Sequence, residues 1–172
     1  MTANSMRKAI EDRYKALEVR REAMIERVRA LDESRRDLKP EQGFSPVGVI
    51  EHIALMEEFN VGFLDLLPPE RLSGEKTVIR VLGKMVFKGL SDPTKYMGRT
   101  LPAAIPKGTT GIETATVHWT SVRTRLWNHF QSVSDPDAAF IKMDWLFGTL
   151  SANQYLDLVE AHMRYHEVRF PK

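Results

Sequence analysis

Long runs in which apolar residues recur at steps of three and four leave this chain little choice but to pack helices against one another. From about Ser5 to Leu31, Met6, Ile10, Tyr14, Leu17, Met24, Val28 and Leu31 fall at steps of three, four and seven among mostly charged neighbours. A second run, Val49, His52, Met56, Phe59, Phe63 and Leu66, follows Ser45-Pro46 and stops at Leu67-Pro68-Pro69. Ser45 suits an N-cap and Pro46 the first helical position, with Phe44 and Val49 placed to staple across the cap. A third run, Ile112, Ala115, Trp119, Val122, Leu126, Phe130 and Val133, opens on Thr110-Gly111-Ile112-Glu113, which reads as a capping box. The last runs from Ser151 to His166 and carries Tyr155, Val159, His162, His166 and, beyond it, Phe170 on one face. Thr149 and Ser151 are both plausible N-caps for it; Ser151 with Gln154 reads as a second capping box, and Leu150 with Tyr155 as its staple.

Residues 70–109 lack this order. Glu75 to Leu90 reads as a short helix lying over one end of the bundle, and Ser91 to Gly108, with Pro93, Pro102 and Pro106, as a long irregular connection suited to the wall or lid of a pocket. Arg80, Lys84 and Lys88 allow a membrane-surface reading of the short helix, but docking on the core already accounts for its apolar residues. Asp135-Pro136 ends the third run, and Phe140 to Gly148 is expected to cross back as a loop. The expected fold is therefore all-α, a four-helix bundle with one long irregular crossover, spanning residues 1–172 as a single domain.

Composition narrows the chemistry. Basic and acidic residues are interleaved to a net charge of +2, which leaves no one-sided basic stripe for nucleic acid. No segment offers the run of roughly 20 apolar residues that a membrane span needs, and the first residues carry no secretory pattern, so the expected compartment is the cytoplasm. With no cysteine, thiolate nucleophiles and sulfur-ligated metal are excluded; a metal must be held by histidine and carboxylate, and a thiol must come from outside.

Histidine is the residue type out of place. His162 and His166 stack on one helical face, where neutral imidazoles four apart can reach one divalent ion. Alone, such a pair reads first as an ordinary satisfied pair, and the upstream His52, set where a leucine is expected, reads first as a core histidine bonded to a neighbour. His118 and His129 border the third run without a partner at ligand spacing and are taken as structural. Glu51, Glu160 and Glu167 sit one to two residues off the ligand face; they suit solvated or histidine-orienting roles better than that of a general base.

Two motifs carry a family resemblance. Phe44-Ser45-Pro46 followed by Val49-Ile50-Glu51-His52-Ile53-Ala54 resembles the second-helix signature of the DinB-like (YfiT-type) superfamily, and Phe147-Gly148-Thr149-Leu150-Ser151 followed by His162-x-x-x-His166 resembles its closing signature. The order and spacing cover nearly the whole chain. The chain departs from the pattern at Asp144-Trp145-Leu146, where many relatives have His-Pro, and at Arg169 and Phe170, where a Gln commonly stands. The resemblance implies one divalent ion, usually nickel or zinc, with His52, His162 and His166 as ligands. It also implies transferases and isomerases dependent on a low-molecular-weight thiol, alongside members without assigned activity.

Three neutral ligands would leave the ion its +2 charge and an open position, able to bring a water to a pKa of about 7 or to hold a thiol as thiolate. Three readings follow: a metal-dependent transferase or hydrolase acting on a small-molecule substrate, a metal-binding stress-response or interaction module without turnover, and a helical structural or dimerisation protein with incidental histidines. The sequence permits a homodimer.

Overall fold

The computed structural model describes residues 3–92 and 100–171. Its helices are α1 (Ala3–Arg29), the one-turn α2 (Glu33–Arg36), α3 (Pro46–Leu66), α4 (Val81–Ser91), α5 (Ile112–Gln131) and α6 (Ala152–Glu167). The four long helices follow the expected runs and supply side chains to one core, from Ile10 and Val28 through Ile50 and Trp119 to Leu156 and Met163. Part of the irregular connection predicted over 91–108 falls on 93–99, outside the described residues. Its described remainder holds a 3₁₀ turn, Pro102–Ala104, lying on α3. Among the described residues no helix is long and apolar enough to cross a membrane.

The chain is mostly helical, but the all-α expectation misses a sheet. The stretch expected to cross back as a loop forms two strands, β2 (Ala139–Met143) and β3 (Gly148–Ser151), and β3 also pairs with β1 (Val78–Ile79). Both pairings are antiparallel, in the order β1-β3-β2. Helical periodicity cannot register so short a buried run, and Ala139-Phe140-Ile141 is apolar on consecutive positions, as a strand buried on both faces requires. Gly148 makes the sheet possible. It adopts φ +84°, and a Cβ there would lie 2.2 Å from the carbonyl oxygen of Val78.

The sheet aims the last helix. Ser151 ends β3 and at once caps α6: its hydroxyl accepts from the Gln154 N–H at 3.2 Å while its own N–H donates to the Gln154 side chain at 2.9 Å. This is the capping box expected from the sequence. The one expected at Thr110 does not form. Gly111 caps α5 without a side-chain bond, Glu113 pairs with Arg29, and the Thr110 hydroxyl turns to Glu51.

The apolar runs hide charged residues. Arg21 fills the seven-residue gap between Leu17 and Met24, and Glu57 and Arg123 sit among buried residues of α3 and α5. On α3 the core-facing row is Ile50, Ile53, Glu57, Val61 and Leu64; the expected row of His52, Met56, Phe59 and Phe63 is its flank, and Leu66 is exposed.

Candidate metal centre

α3 and α6 each deliver histidine to one point. Ser45 starts α3 by accepting from the Gly48 N–H at 3.1 Å, with Pro46 at the first position, and this cap sets where His52 falls two turns later. The ring of Phe44 rests on that of His52, 4.9 Å between centroids. From α6, His162 and His166 project one turn apart. The Nε2 of His162 lies 3.2 Å from Nε2 of His52 and 3.1 Å from Nε2 of His166, and one ring nitrogen from each lies within 4.8 Å of the other two.

The backbone decides which nitrogen of His52 is free. Its Nδ1 lies 2.7 Å from the carbonyl oxygen of Ala104, which can only accept, so Nδ1 carries the proton and Nε2 presents its lone pair to the other two rings. No assignment of protons then gives both short Nε2 contacts a full hydrogen bond, because a proton on the central His162 can be directed at only one neighbour. Burial keeps all three rings neutral. It holds His52 below the ordinary imidazole range against the pull of the Ala104 carbonyl, takes His162 down to about 3 with the help of His52, and takes His166 well below its usual value. Neutral imidazoles with lone pairs converging are the donor set for a divalent cation. At about 2.0–2.1 Å per Zn–N bond, tetrahedral ligand nitrogens stand about 3.3–3.4 Å apart, close to the two separations here. The residues fit the metal.

A cavity of about 960 Å³ opens on the same point, lined by all three histidines. Much of its wall is apolar, including Met56 of α3, Phe147 of the strand connection, and Leu82, Val86 and Leu90 at four-residue steps on α4. Gly83 lets α4 approach Phe147, whose Cα a Cβ at that glycine would meet at 3.0 Å.

His118 and His129 play no part in this cluster, as expected; they pair with Glu58 at 3.1 Å and Asp65 at 2.8 Å. Glu160 pairs with Arg164, and Glu167 with Arg20. Of the two roles expected for Glu51, solvated or histidine-orienting, it is not solvated, and its hydrogen bonds go to the crossover and not to a histidine ring. It is buried, and its Oε1 accepts from the Thr110 hydroxyl at 2.6 Å and the Lys107 N–H at 3.4 Å. It thereby grips the crossover that presents Ala104 to His52. Sequence reasoning missed the Ala104 carbonyl, which leaves no side-chain signal.

It also missed a second buried polar cluster. Arg123 donates to Glu57 through Nε at 2.5 Å and Nη2 at 2.7 Å, Trp119 Nε1 donates to the same carboxylate at 2.9 Å, and Glu18 accepts from Arg123 at 3.2 Å. A charged residue where a three-four repeat calls for an apolar one was the available signal.

No family model, curated protein or solved structure matches this chain.

Proposed function

We propose that this chain is a divalent-metal protein of the DinB-like kind, a four-helix bundle in which His52, His162 and His166 hold one ion, and that it works as a metal-dependent enzyme on a small molecule. The observation that carries this reading is the convergence of three neutral Nε2 atoms, one fixed in tautomer by Ala104, at the wall of a large cavity. A nickel or zinc ion bound there would supply a Lewis-acidic centre with an open coordination position.

The chain's own residues favour thiol transfer over hydrolysis. A metal-bound water can be acidified by the ion itself, but hydrolysis is helped by a carboxylate base within reach of that water. Among the described residues Glu57 is the only acid on the cavity wall, and it is committed to Arg123 and Trp119. A thiol nucleophile held as thiolate needs no such base, and since the chain has no cysteine it would arrive as a low-molecular-weight thiol. The imidazoles orient the ion, and the apolar walls bind the electrophile and exclude water. The same lack of an uncommitted carboxylate supports a second reading, a metal-binding module without turnover.

Purified protein assayed for metal and then incubated with an electrophile panel and each of several small thiols separates them. The enzyme reading predicts about one ion per chain and thiol adducts that fail to form with His162→Ala. An ion without adducts leaves the silent module, and no ion sinks both.

A further inference from the structure

Residues 76–91 carry four cations and no acid. Lys76, Arg80, Lys84 and Lys88 recur at four-residue steps, and all four are exposed. Arg80 is the N-cap of α4, so Lys84 and Lys88 continue from it along one edge of that helix, a turn apart. The adjoining row is apolar and equally open. Val81 and Met85, also a turn apart, are 76% and 65% exposed; Leu82 borders them at 47%, and Val78 of β1 precedes them at 57%. Among the described residues, four of the eleven large apolar side chains left exposed thus fall within eight positions. The expectation that docking on the core accounts for this helix's apolar residues holds on its inner side only, where Leu90 is buried and Val86 and Phe87 pack partly against the core. The start of α4 is pinned by the Arg80 N–H, which donates to the Phe147 carbonyl at 2.9 Å. The Arg80 guanidinium reaches Asp144 at 3.8 Å, but both side chains are more than half exposed and the pair is screened by water.

We infer that the outer face of α4 docks on an anionic lipid surface, with Val78, Val81, Leu82 and Met85 entering the headgroup boundary and Lys76, Arg80, Lys84 and Lys88 set against lipid phosphates. A helix with an open apolar row beside a basic one is the pattern that lies in the plane of a membrane interface. Exposed apolar residues gathered in one place mark a contact surface, and charge decides which partner suits it. Pairing two α4 faces of this chain would bring the same cations towards their own kind, whereas anionic headgroups supply the opposite sign along the whole row. This surface is separate from the reading of the histidines and does not depend on it.

The test is flotation of the purified chain with vesicles of phosphatidylcholine alone and of phosphatidylcholine containing about 30% phosphatidylglycerol. Binding to the anionic vesicles is expected, at least about ten-fold weaker on phosphatidylcholine alone and released by raising the salt. Glycerol phosphate, which has the headgroup's charge without its chains, should not displace the protein from the vesicles. Met85→Asp, at an exposed position where the fold tolerates a polar group, should weaken binding by at least about ten-fold, and Lys84→Glu combined with Lys88→Glu by a similar factor. Val117→Asp places the same negative charge at an exposed apolar position of α5 and should leave binding unchanged. Absence of flotation with the anionic vesicles, equal flotation with both, displacement by glycerol phosphate, or indifference to Met85→Asp and to the lysine reversals would each overturn the inference. A dimer that comes apart on Met85→Asp, in a chain that does not float, would overturn it too and assign the face to a second copy.

Discussion

Two buried polar clusters share the same helices and are built on opposite rules. α3 contributes His52 to one and Glu57, five residues on, to the other. α6 contributes His162 to the first, and the sulfur of its neighbour Met163 lies 3.2 Å from Arg123 in the second. In the Glu57–Arg123 cluster donors meet acceptors: the guanidinium and the indole N–H converge on one carboxylate, and the Tyr14 hydroxyl donates to the Arg123 carbonyl at 2.6 Å. Burial opposes both charges and raises the Glu57 carboxyl, while Glu57 holds Arg123 protonated. In the histidine cluster three groups of one kind face each other beside a cavity. A closed cluster of opposite charges needs nothing further to be stable. An open cluster of neutral imidazoles leaves lone pairs that a divalent cation could bridge.

The contrast can be broken from either side. The largest effect is expected from Arg123→Ala, which strands Glu57 in the core and should cost about 3–5 kcal/mol in urea unfolding. Replacing both partners by apolar residues of similar volume should recover most of that loss, as pairing predicts. His162→Ala should do the reverse: it abolishes ion retention on desalting while changing the stability of the metal-free chain by less than about 2 kcal/mol, since at most one of its two short Nε2 contacts is a complete hydrogen bond.

Acid should separate the clusters next. The folded-state values of all three histidines lie below the ordinary imidazole value of 6.5, His162 at about 3. The unfolded chain therefore binds more protons between these limits, so stability from the neutral rings is complete above about pH 6.5 and is lost as pH falls towards 3. Melting of the metal-free chain from pH 7 to pH 4 should show this fall. A variant with all three histidines replaced by glutamine should show a shallower one. The smallest effect is expected at Glu51→Gln, which weakens the grip on Thr110 and hence the Ala104 contact to His52. Ion affinity should drop by about ten-fold or less, read by competition with a chelator.

What the sequence made legible follows from where each signal lives. His52, His162 and His166 stood out because a polar ring in a three-four repeat is a local anomaly, and the structure brings all three together. The caps at Ser45 and Ser151 were legible for the same reason, being written within four residues. Thr110 misled because its hydroxyl was taken by Glu51, 59 residues away, a competition no local pattern contains. The strands β2 and β3 went unseen because four or five residues, nearly all buried, show no alternation and are too few to tell a strand from a helical turn. Glu57 and Arg123 went unremarked, although each occupies a slot in its helix's apolar repeat.

X-ray absorption at the metal edge of the nickel- or zinc-loaded chain tests the convergence of the three imidazoles most directly. The expected spectrum has nitrogen scatterers at about 2.0–2.1 Å with the outer-shell pattern of three imidazole rings, diminished in each of His52→Ala, His162→Ala and His166→Ala. An oxygen-only shell, or a spectrum unchanged by those three substitutions, would contradict it.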